Sequence, residues 1–267
     1  DRGELDVERW YTLLDQQQVS VWYTTPAAIR MLMQAGFGPL RKHRFPALRL
    51  IASAGEPLDP QAVTWGIDAF GLPVHDTWSQ TETGAIMIAN FAAVPIWPGS
   101  MGRAMPGANL AIARRRDDGS VELLDADQGG EIVLRPDWPS MFKVSPGDRQ
   151  RHLESCCDGW YFSGDAARRD GQGNYWFVGR SDDVIRSAGR LVSPFEVECV
   201  LNQHPAVTQS AVIGVPDPSM GQIVKAVVEL KPGRQPDARM QREILAYGRR
   251  LLGAAIAPRD VEFTTSL

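Results

Sequence analysis

The richest cluster of chemically useful side chains lies between Asp76 and Gly84, where the sequence reads D-T-W-S-Q-T-E-T-G. A loop of this composition can hold a purine edge, stack its ring and bind a cation–phosphate pair. Trp78 offers a flat face for stacking, and Glu82 offers carboxylate oxygens of the kind that Mg²⁺ prefers. On spacing alone, a capped turn around a half-buried Trp explains the segment equally well.

The elements on either side of this segment alternate between helix and strand. Apolar spacing predicts helices and strands in the first part of the chain, with helices over 6–18, from Pro26 onward and over 59–70, and strands over 19–23, 48–52 and 73–75. Alternation of this kind favours a parallel sheet covered by helices, and ligands then bind beyond the carboxyl ends of the strands. The turn 55–57 and the segment 76–82 fall at such ends, and we expect both to be loops.

Two further changes of pattern divide the rest of the chain. Between about 95 and 177 short strands separated by turns replace the helical periodicity, at 110–113, 121–124, 131–134 and 175–178. After Asp182, Ser193 and Pro194 predict a capped helix start. Strands over 211–214, 223–230 and 261–263 and a helix over 238–252 complete this part. We therefore predict an α/β region over 1–94, a β-rich subdomain over 95–181 and a small α+β domain over 182–267.

Composition narrows the class of protein. The 267 residues are 43% hydrophobic and 22% charged, as in globular domains, and no apolar run approaches the length of a membrane span. A net charge of -4 favours neither nucleic acid nor an anionic membrane as partner. Three Cys do not form a disulfide framework, so we expect reduced thiols and a cytoplasmic location. The chain starts without Met, and we expect both of its ends to be cuts.

The segment 76–84 resembles the D-T-W-W-Q-T-E-T-G signature of acetyl-CoA synthetases, within the adenylate-forming superfamily that includes luciferases and peptide synthetases. Five further pieces resemble the same family in the same order: Y-T-T-P-A-A-I-R at 23–30, S-A-G-E-P-L at 53–58, P-G-S-M-G at 98–102, W-Y-F-S-G-D at 160–165 and G-R-S-D-D-V-I at 179–185. The piece P-F-E-V-E at 194–198 continues the last of them. The resemblance implies a layered α/β adenylate-forming domain with a β-rich subdomain, followed by a small α+β C-terminal domain.

The resemblance also implies a role for individual residues. The adenine and ribose site is implied at Gly55, Glu56, Pro57, Asp76, Thr77 and Trp78. Thr81 is implied to contact phosphate and Glu82 the Mg²⁺–phosphate pair. Asp165 is implied to accept the ribose hydroxyls, and Arg180 to pair with ribose or phosphate oxygens. Without the family, an Asx-type turn explains Asp165, and a surface ion pair with a neighbouring Asp explains Arg180.

The implied activity is ATP-dependent ligation of a small carboxylic acid to CoA through an acyl-adenylate, with ATP, Mg²⁺ and CoA as cofactors. Catalysis of the first step is mainly positioning and charge neutralisation. In the family the small C-terminal domain turns about a hinge between the two steps, and the hinge position matches Asp182. The segment 187–189, with Gly189, is then implied to approach CoA. The oligomeric state stays open.

The sequence departs from the family pattern in ways that affect the activity. The glycine- and hydroxyl-rich phosphate loop and the Lys of the first step are absent from these 267 residues, so we expect this chain alone to be inactive. Ser79 and Ala54 stand where acetate-specific members have Trp and Val, and with Thr24 they are expected to line an acyl pocket for an acid larger than acetate. Leu191 stands where the family has a phosphate-contacting Arg.

Two other functions remain open at this stage. An adenylating enzyme that loads a carrier protein belongs to the same superfamily, although the D-T-W and G-E-P forms favour CoA users. A protein that binds nucleotide or CoA without turnover is the alternative outside enzymes, and Leu191 supports it. An intact phosphate loop and Lys in the parent gene would favour the enzyme, whereas the loss of both would favour the binding module.

Overall fold

In a computed structural model, the structure describes residues 6–142 and 155–267. Residues 1–5, which carry the charged start of the sequence, lie outside these ranges. The contacts divide the chain into two units. The first unit comprises residues 1–128, 133–163 and 168–177, and the second comprises 129–132, 164–167 and 178–267.

The helices and strands are numbered here in chain order. The helices are α1 (Val7–Gln16), α2 (Pro26–Ala35), α3 (Phe37–Leu40), α4 (Pro60–Phe70), α5 (Pro194–Leu201) and α6 (Ala238–Leu252). The strands up to residue 134 are β1 (Val21–Thr24), β2 (Leu50–Ser53), β3 (Val74–Ser79), β4 (Ile86–Ala89), β5 (Arg103–Ala104), β6 (Leu110–Arg115), β7 (Val121–Leu123) and β8 (Gly129–Leu134). The later strands are β9 (Cys156–Cys157), β10 (Trp160–Arg169), β11 (Tyr175–Arg180), β12 (Ile185–Ser187), β13 (Arg190–Val192), β14 (Val207–Asp217), β15 (Gly221–Leu230) and β16 (Asp260–Thr264).

The first sheet has the strand order β1-β2-β3-β4-β5. The first three strands pair in parallel, and β4 and β5 continue the sheet antiparallel. Helices α1, α2 and α4 start at side-chain caps from Asp6, Thr25 and Asp59, two of them with Pro in the first turn. A core that includes Tyr11, Trp22, Ile29, Ile51 and Val74 lies between these helices and the sheet. The predicted βαβ alternation is therefore confirmed.

One expected loop in this region is a strand. We expected the third strand to end at His75, but β3 continues through Asp76, Thr77 and Trp78 to Ser79. The polar residues Asp76 and Thr77 are typical of turns, which is why the sequence pattern misplaced this boundary. In the sheet, their side chains find hydrogen-bond partners in the neighbouring strand β2, so both can be buried within a strand.

The second sheet has the strand order β11-β10-β8-β6-β7, with β9 paired to β10. The predicted strands over 110–113, 121–124, 131–134 and 175–178 are all present, with slightly different ends. The run of arginines at 114–116 leads into a tight hairpin turn between β6 and β7, as Arg116 and Gly119 hydrogen-bond across it. Strand β10, the longest of this sheet, was not predicted as a strand.

The third sheet, in the second unit, has the order β13-β12-β15-β14, with β16 parallel to β15. Helices α5 and α6 pack on it over a core that includes Ile185, Val197, Leu201, Val228 and Ile244. The Ser193 side chain accepts the Glu196 N–H at 3.2 Å, which confirms the predicted helix start. The helix predicted over 238–252 has these bounds in the structure.

No helix within residues 6–142 and 155–267 combines the length and the apolar character that crossing a lipid bilayer requires.

Candidate nucleotide-binding site

The candidate site residues of the first unit gather at one edge of the first sheet. Because β1, β2 and β3 are parallel, their carboxyl ends lie at the same edge. Thr24 ends β1, Ser53 ends β2, and the pairing register places Asp76 of β3 beside Ser53. The turn 55–57 and the loop 80–84 leave the sheet at this edge, which is the edge where the fold class places ligands.

The turn 55–57 has an open face. Gly55 has φ +95°, and apart from its two chain neighbours no atom of the described residues lies within 4 Å of the position that a Cβ atom would occupy. The Ala54 N–H donates to the Thr24 carbonyl oxygen at 3.1 Å, which ties the start of the turn to β1. The Arg30 guanidinium donates to the Glu56 carboxylate at 2.8 Å. A flat ligand can therefore approach the backbone at Gly55 closely.

Behind the turn, polar side chains of three strands form a hydrogen-bonded chain. The Tyr23 and Thr77 hydroxyl oxygens lie 3.0 Å apart, and the Thr77 hydroxyl donates to the Ser53 carbonyl oxygen at 2.7 Å. The Ser53 hydroxyl donates to the Asp76 carboxylate at 3.5 Å. The Thr77 N–H donates to the same carboxylate oxygen at 2.9 Å. Residues of β1, β2 and β3 are thereby linked at this edge of the sheet.

Asp76 is the most strongly perturbed acid of this group. Burial raises the pKa of its carboxyl to about 7, although hydrogen bonds from the Thr77 N–H, the Ser53 hydroxyl and the Leu58 N–H oppose that rise. The side chain is only 6% exposed. The carboxyl group therefore points into the fold, and a ligand outside the sheet meets the backbone of this residue rather than its carboxylate.

The loop 80–84 has one inward side chain and two outward ones. Thr83 is fully buried, and its hydroxyl bonds with the backbone N–H and carbonyl of Gln80 at 3.0 and 2.8 Å. Thr81 is exposed and Glu82 is half-buried, so these two side chains face outward. The inward threonine closes the loop on itself, which leaves the two predicted phosphate-site residues available to a ligand.

The end of this loop depends on glycine. At Gly84, φ is +62° and a Cβ atom would lie 2.3 Å from the carbonyl oxygen of Ser140. The Ser140 hydroxyl donates to the Thr83 carbonyl oxygen at 2.5 Å, and the Phe142 N–H donates to the Glu82 carbonyl oxygen at 2.9 Å. The glycine that ends the sequence motif is thus required where the segment 140–142 packs against the loop.

The predicted acyl-pocket residues and the predicted stacking residue differ in exposure. Thr24, Ala54 and Ser79 are half-buried, at or just beyond the ends of β1, β2 and β3. Trp78 is in β3 and only 7% exposed, so most of its ring packs inside the protein. On the same edge, Tyr23 exposes 52% of its surface and presents the larger aromatic face to solvent.

The second unit holds a separate polar cluster. The Arg180 guanidinium donates to the Asp165 carboxylate at 2.9 Å and lies 3.5 Å from Asp182. Asp165 is buried and lies within the strand β10. The sequence also allowed Arg180 to be explained by an ion pair with a neighbouring Asp, and such a pair is present with Asp182. The Arg180 side chain is 49% exposed, so a polyhydroxyl ligand can reach it from solvent.

Gly164 brings Asp165 and Arg180 together. It has φ +76°, and a Cβ atom there would lie 2.7 Å from a guanidinium nitrogen of Arg180. Its N–H donates to the Glu131 carboxylate at 2.7 Å, and its carbonyl oxygen accepts the Ser181 N–H at 2.8 Å. The glycine of the G-D pair thus allows the guanidinium to lie flat against the backbone.

The predicted CoA segment is a tight hairpin between β12 and β13. Ser187 pairs with Arg190, and the two residues between them, Ala188 and Gly189, have φ of +48° and +76°. Leu191 pairs with Arg186 and is 41% exposed. Two positive φ values are typical of the two-residue turns that suit the twist of a hairpin. Gly189 is exposed, as a backbone contact with a ligand requires.

The donors for a metal ion are sparse. Within the described ranges, no three His, Cys, Asp or Glu side chains come together as a metal site. Glu82 alone is compatible with Mg²⁺, because this ion commonly takes one or two protein carboxylates and completes its shell with substrate phosphates and water.

Three residues of the site received no role from the sequence. Tyr23, Arg30 and Ser53 were quoted only as motif letters, yet the structure places all three in contact with predicted site residues. The available signal was their position at the ends of neighbouring strands of a parallel sheet. Without a register, that signal does not specify which side chains meet.

Comparisons with known proteins agree with these features. A family model described as AMP-binding enzyme matches residues 1–143, and a model described as AMP-binding enzyme C-terminal domain matches 196–267. Acetyl-coenzyme A synthetase from Bacillus subtilis is 40% identical over 99% of this chain, and that from Syntrophus aciditrophicus is 39% identical over 98%. The chain covers 46% and 41% of these two proteins, so it spans less than half of their length.

Solved structures give the same result for the fold. An anthranilate CoA ligase in complex with anthranoyl-AMP is 30% identical, with a TM-score of 0.81 over 98% of this chain and 49% of its own. A benzoate CoA ligase from Burkholderia xenovorans LB400 is 28% identical, with a TM-score of 0.82 over 100% of this chain and 51% of its own. The predicted α/β fold class is therefore confirmed.

Proposed function

The chain belongs to the family of AMP-binding enzymes, and from this premise we propose that the full-length protein is an ATP-dependent ligase of carboxylic acids and CoA. One observation carries the proposal. The open turn 55–57 and the loop 80–84 lie at the carboxyl edge of a parallel sheet, and both are held by hydrogen bonds to neighbouring segments. Pre-formed backbone surfaces of this kind suit a nucleotide base and its phosphates.

In this proposal the first unit binds the nucleotide. The backbone at Gly55, Glu56 and Pro57 and the edge of β3 at 76–78 line the adenine and ribose. The Thr81 hydroxyl donates a hydrogen bond to a phosphate oxygen. Its side chain is exposed on the loop and is therefore accessible to a ligand. Glu82 would hold Mg²⁺, and the ion would neutralise phosphate charge when bound.

The second unit supplies the remaining predicted groups. Asp165 accepts ribose hydroxyls, and Arg180 donates to ribose or phosphate oxygens. Gly189 lies along the CoA thiol arm, and Asp182 is the hinge residue. Their support is the family resemblance together with the ion pair between Arg180 and Asp165, which already holds the guanidinium in one orientation.

The reaction has two steps. A substrate carboxylate oxygen attacks the α-phosphorus of ATP and pyrophosphate leaves, which gives an acyl-adenylate. The sulfur of CoA then attacks the acyl carbon, and AMP leaves. The protein's contribution to the first step is to align the reactants and to offset charge on the phosphates, so loss of Glu82 is expected to lower the rate more than the affinity for the acid.

The test is pyrophosphate release by the full-length protein with acetate, propionate, butyrate, octanoate and benzoate, with and without CoA. Release with one acid and CoA-dependent formation of AMP are expected. Glu82→Gln should lower the rate about 100-fold, a magnitude common for a lost electrostatic contact at a reacting group. Glu122→Gln, a distant half-exposed carboxylate, is the matched control. Release by the wild type with none of the acids contradicts the proposal.

The acid is proposed to be larger than acetate. Ser79 and Ala54 leave space where acetate-specific members carry Trp and Val, and two similar ligases act by name on anthranilate and benzoate. Each further buried methylene adds about 0.8 kcal/mol. Ser79→Trp should therefore shift the preference toward acetate by about tenfold or more. A wild-type protein that strongly prefers acetate contradicts this part.

A second candidate function is nucleotide or CoA binding without turnover. The observation that favours it is Leu191, an exposed apolar side chain where the family has a phosphate-contacting Arg. Leu191→Arg separates the two functions. If the protein is an enzyme whose rate is limited by Leu191, the variant should release pyrophosphate faster than the wild type. If it is a binding protein that lacks other reactive groups, the variant should release none.

The expectation of a cytoplasmic location stays a proposal that rests on the cysteine count alone.

A further inference from the structure

The backbone of Gly164 is held by hydrogen bonds at both of its polar groups. Gly164 lies inside strand β10, yet its φ of +76° is outside the extended range of a strand. Its N–H donates to the Glu131 carboxylate of the neighbouring strand β8 at 2.7 Å, and its carbonyl oxygen accepts the Ser181 N–H at 2.8 Å. A bond to a carboxylate is about twice as strong as one between neutral groups. The bond from Gly164 to Glu131 is the Glu131 anchor.

The conformation of Gly164 determines where two predicted ribose-site groups lie. Asp165 is the next residue, so the backbone at Gly164 sets the direction in which its side chain projects. The Arg180 guanidinium packs against Gly164, because a Cβ atom there would lie 2.7 Å from a guanidinium nitrogen. The same guanidinium donates to the Asp165 carboxylate at 2.9 Å. One glycine therefore controls the orientation of both side chains.

Orientation is decisive for Asp165 because little of this residue is exposed. Its side chain is 9% exposed, compared with 49% for that of Arg180. A carboxylate can accept several hydrogen bonds, so the bond from Arg180 is compatible with further bonds from ribose hydroxyls. A small rotation of so enclosed a group decides whether it meets a ligand. Whatever fixes the backbone before Asp165 therefore affects binding.

We propose that Glu131 is a positioning residue whose bond to the Gly164 N–H fixes this backbone and thereby presents Asp165 and Arg180 to the ribose hydroxyls of a nucleotide. The inference deepens the proposed function and rests on it for the identity of the ligand. Groups that are already oriented lose less conformational freedom on binding, so Glu131 raises the affinity for ribose by acting through Gly164.

Amide hydrogen exchange of the full-length protein at pH 7 tests the Glu131 anchor. Glu131→Ala removes the acceptor, and exchange at the Gly164 N–H should become about tenfold faster. Glu131→Gln keeps an oxygen that can accept the same N–H, so its rate should stay within about threefold of the wild-type rate. Glu122→Ala is the matched control, because Glu122 is a half-exposed carboxylate on β7 of the same sheet, 3.5 Å from Arg116. This variant should leave exchange at Gly164 unchanged.

Two nucleotides measure the consequence for ribose binding. AMP carries both ribose hydroxyls, whereas 2′,3′-dideoxy-AMP lacks them and keeps the same base and phosphate. The wild type should prefer AMP about 100-fold, and Glu131→Ala should reduce this preference to about tenfold by weakening AMP alone. A general loss of structure would instead weaken both nucleotides and lower the unfolding midpoint. Glu131→Asp keeps the charge but withdraws the carboxylate by one methylene, so it provides the same comparison if the alanine variant does not fold.

The outcomes separate the Glu131 anchor from the proposed function. Equal exchange at Gly164 in Glu131→Ala and wild type overturns the anchor. Faster exchange with an unchanged preference for AMP overturns the link between Glu131 and the ribose. A wild type that binds AMP and its dideoxy analogue equally contradicts the ribose role of Asp165 and overturns the proposal with it. A wild type that binds no AMP contradicts the nucleotide site of the proposed function, while Glu131-dependent exchange at Gly164 still supports the anchor.

Discussion

The loops of the first unit and the hairpin turn of the second reach positive φ values by different means. In the first unit, Gly55 and Gly84 take these values, and polar side chains of neighbouring segments bond to the chain around them. In the second unit, Ala188 takes φ +48° in a two-residue turn between β12 and β13. In the first unit, side chains of other segments hold the loops. In the second, backbone hydrogen bonds hold the turn, both within the hairpin and from the Ala188 N–H to the Met220 carbonyl oxygen at 2.9 Å.

The difference indicates where each region can tolerate change. A loop held by partners from other strands keeps its shape only while those partners fit, so a small added group there has a large effect. The turn at Ala188 is held by backbone hydrogen bonds, which do not depend on the side chain at that position. A residue better suited to the left-handed region can therefore replace Ala188.

The largest expected effect is at Gly84. Gly84→Ala places a methyl group 2.3 Å from the Ser140 carbonyl oxygen, and we expect the free energy of unfolding to fall by more than about 3 kcal/mol. Gly71→Ala is the matched control, since Gly71 has φ +71° in the left-handed region and open space at its Cβ position. Urea unfolding of both variants compares them, and equal losses would mean that the packing of Ser140 does not constrain the loop.

The next effect is a pH dependence from Asp76. Its pKa is raised to about 7 in the folded protein, against about 3.9 in an unfolded chain. Between these values the folded protein keeps a proton that the unfolded chain has lost, so the free energy of unfolding falls as the pH rises from 4 through 7. The fall amounts to a few kcal/mol at most, since each pKa unit corresponds to about 1.4 kcal/mol.

Asp76→Asn removes this titration. Its free energy of unfolding, compared with that of wild type in urea at pH 5, 6, 7 and 8, should lack the decline toward high pH. Asp68→Asn should follow the wild-type curve, because Asp68 is exposed. Parallel curves for wild type and Asp76→Asn would show that the buried carboxyl does not titrate in this range.

A smaller effect is expected on AMP affinity when Gly55 is replaced, and a control glycine distinguishes lost ligand contact from backbone strain. Gly55→Ala adds a methyl group to the open face of the turn, and we expect AMP affinity to fall about tenfold, or about 1.4 kcal/mol. Gly71→Ala is the control, because Gly71 has φ +71° and an equally open Cβ position after α4. Both variants should lose similar stability, and an equal loss of AMP affinity would place the binding surface elsewhere.

The smallest effect is at the hairpin turn. Ala188→Gly should stabilise the protein by about 1 kcal/mol, because glycine adopts positive φ without the steric cost that Ala carries there. Ala255→Gly, an exposed position without positive φ, should destabilise by roughly 0.5 to 1 kcal/mol through chain entropy. Thermal unfolding measures both, and destabilisation by Ala188→Gly would contradict the strained turn.

Local features of the fold were predictable where they depend on neighbours along the chain. Pro26 and Ser193 mark helix starts that the structure contains, and the alternation of apolar runs predicts the parallel strands β1, β2 and β3. The course of β3 was not predictable in the same way. Asp76 and Thr77 have turn preferences, and only the hydrogen bonds with Ser53 explain their place in a buried strand.

The candidate site likewise has features that local sequence predicts and features that only long-range contacts explain. Residue types and motif order are sufficient to select the turn 55–57 and the outward pair Thr81 and Glu82, since these depend on short stretches of chain. The hydrogen bond between Ser53 and Asp76 and the packing of Ser140 on Gly84 join residues that are 23 and 56 positions apart. Contacts of that separation depend on strand register and chain crossing, which the tertiary structure alone decides.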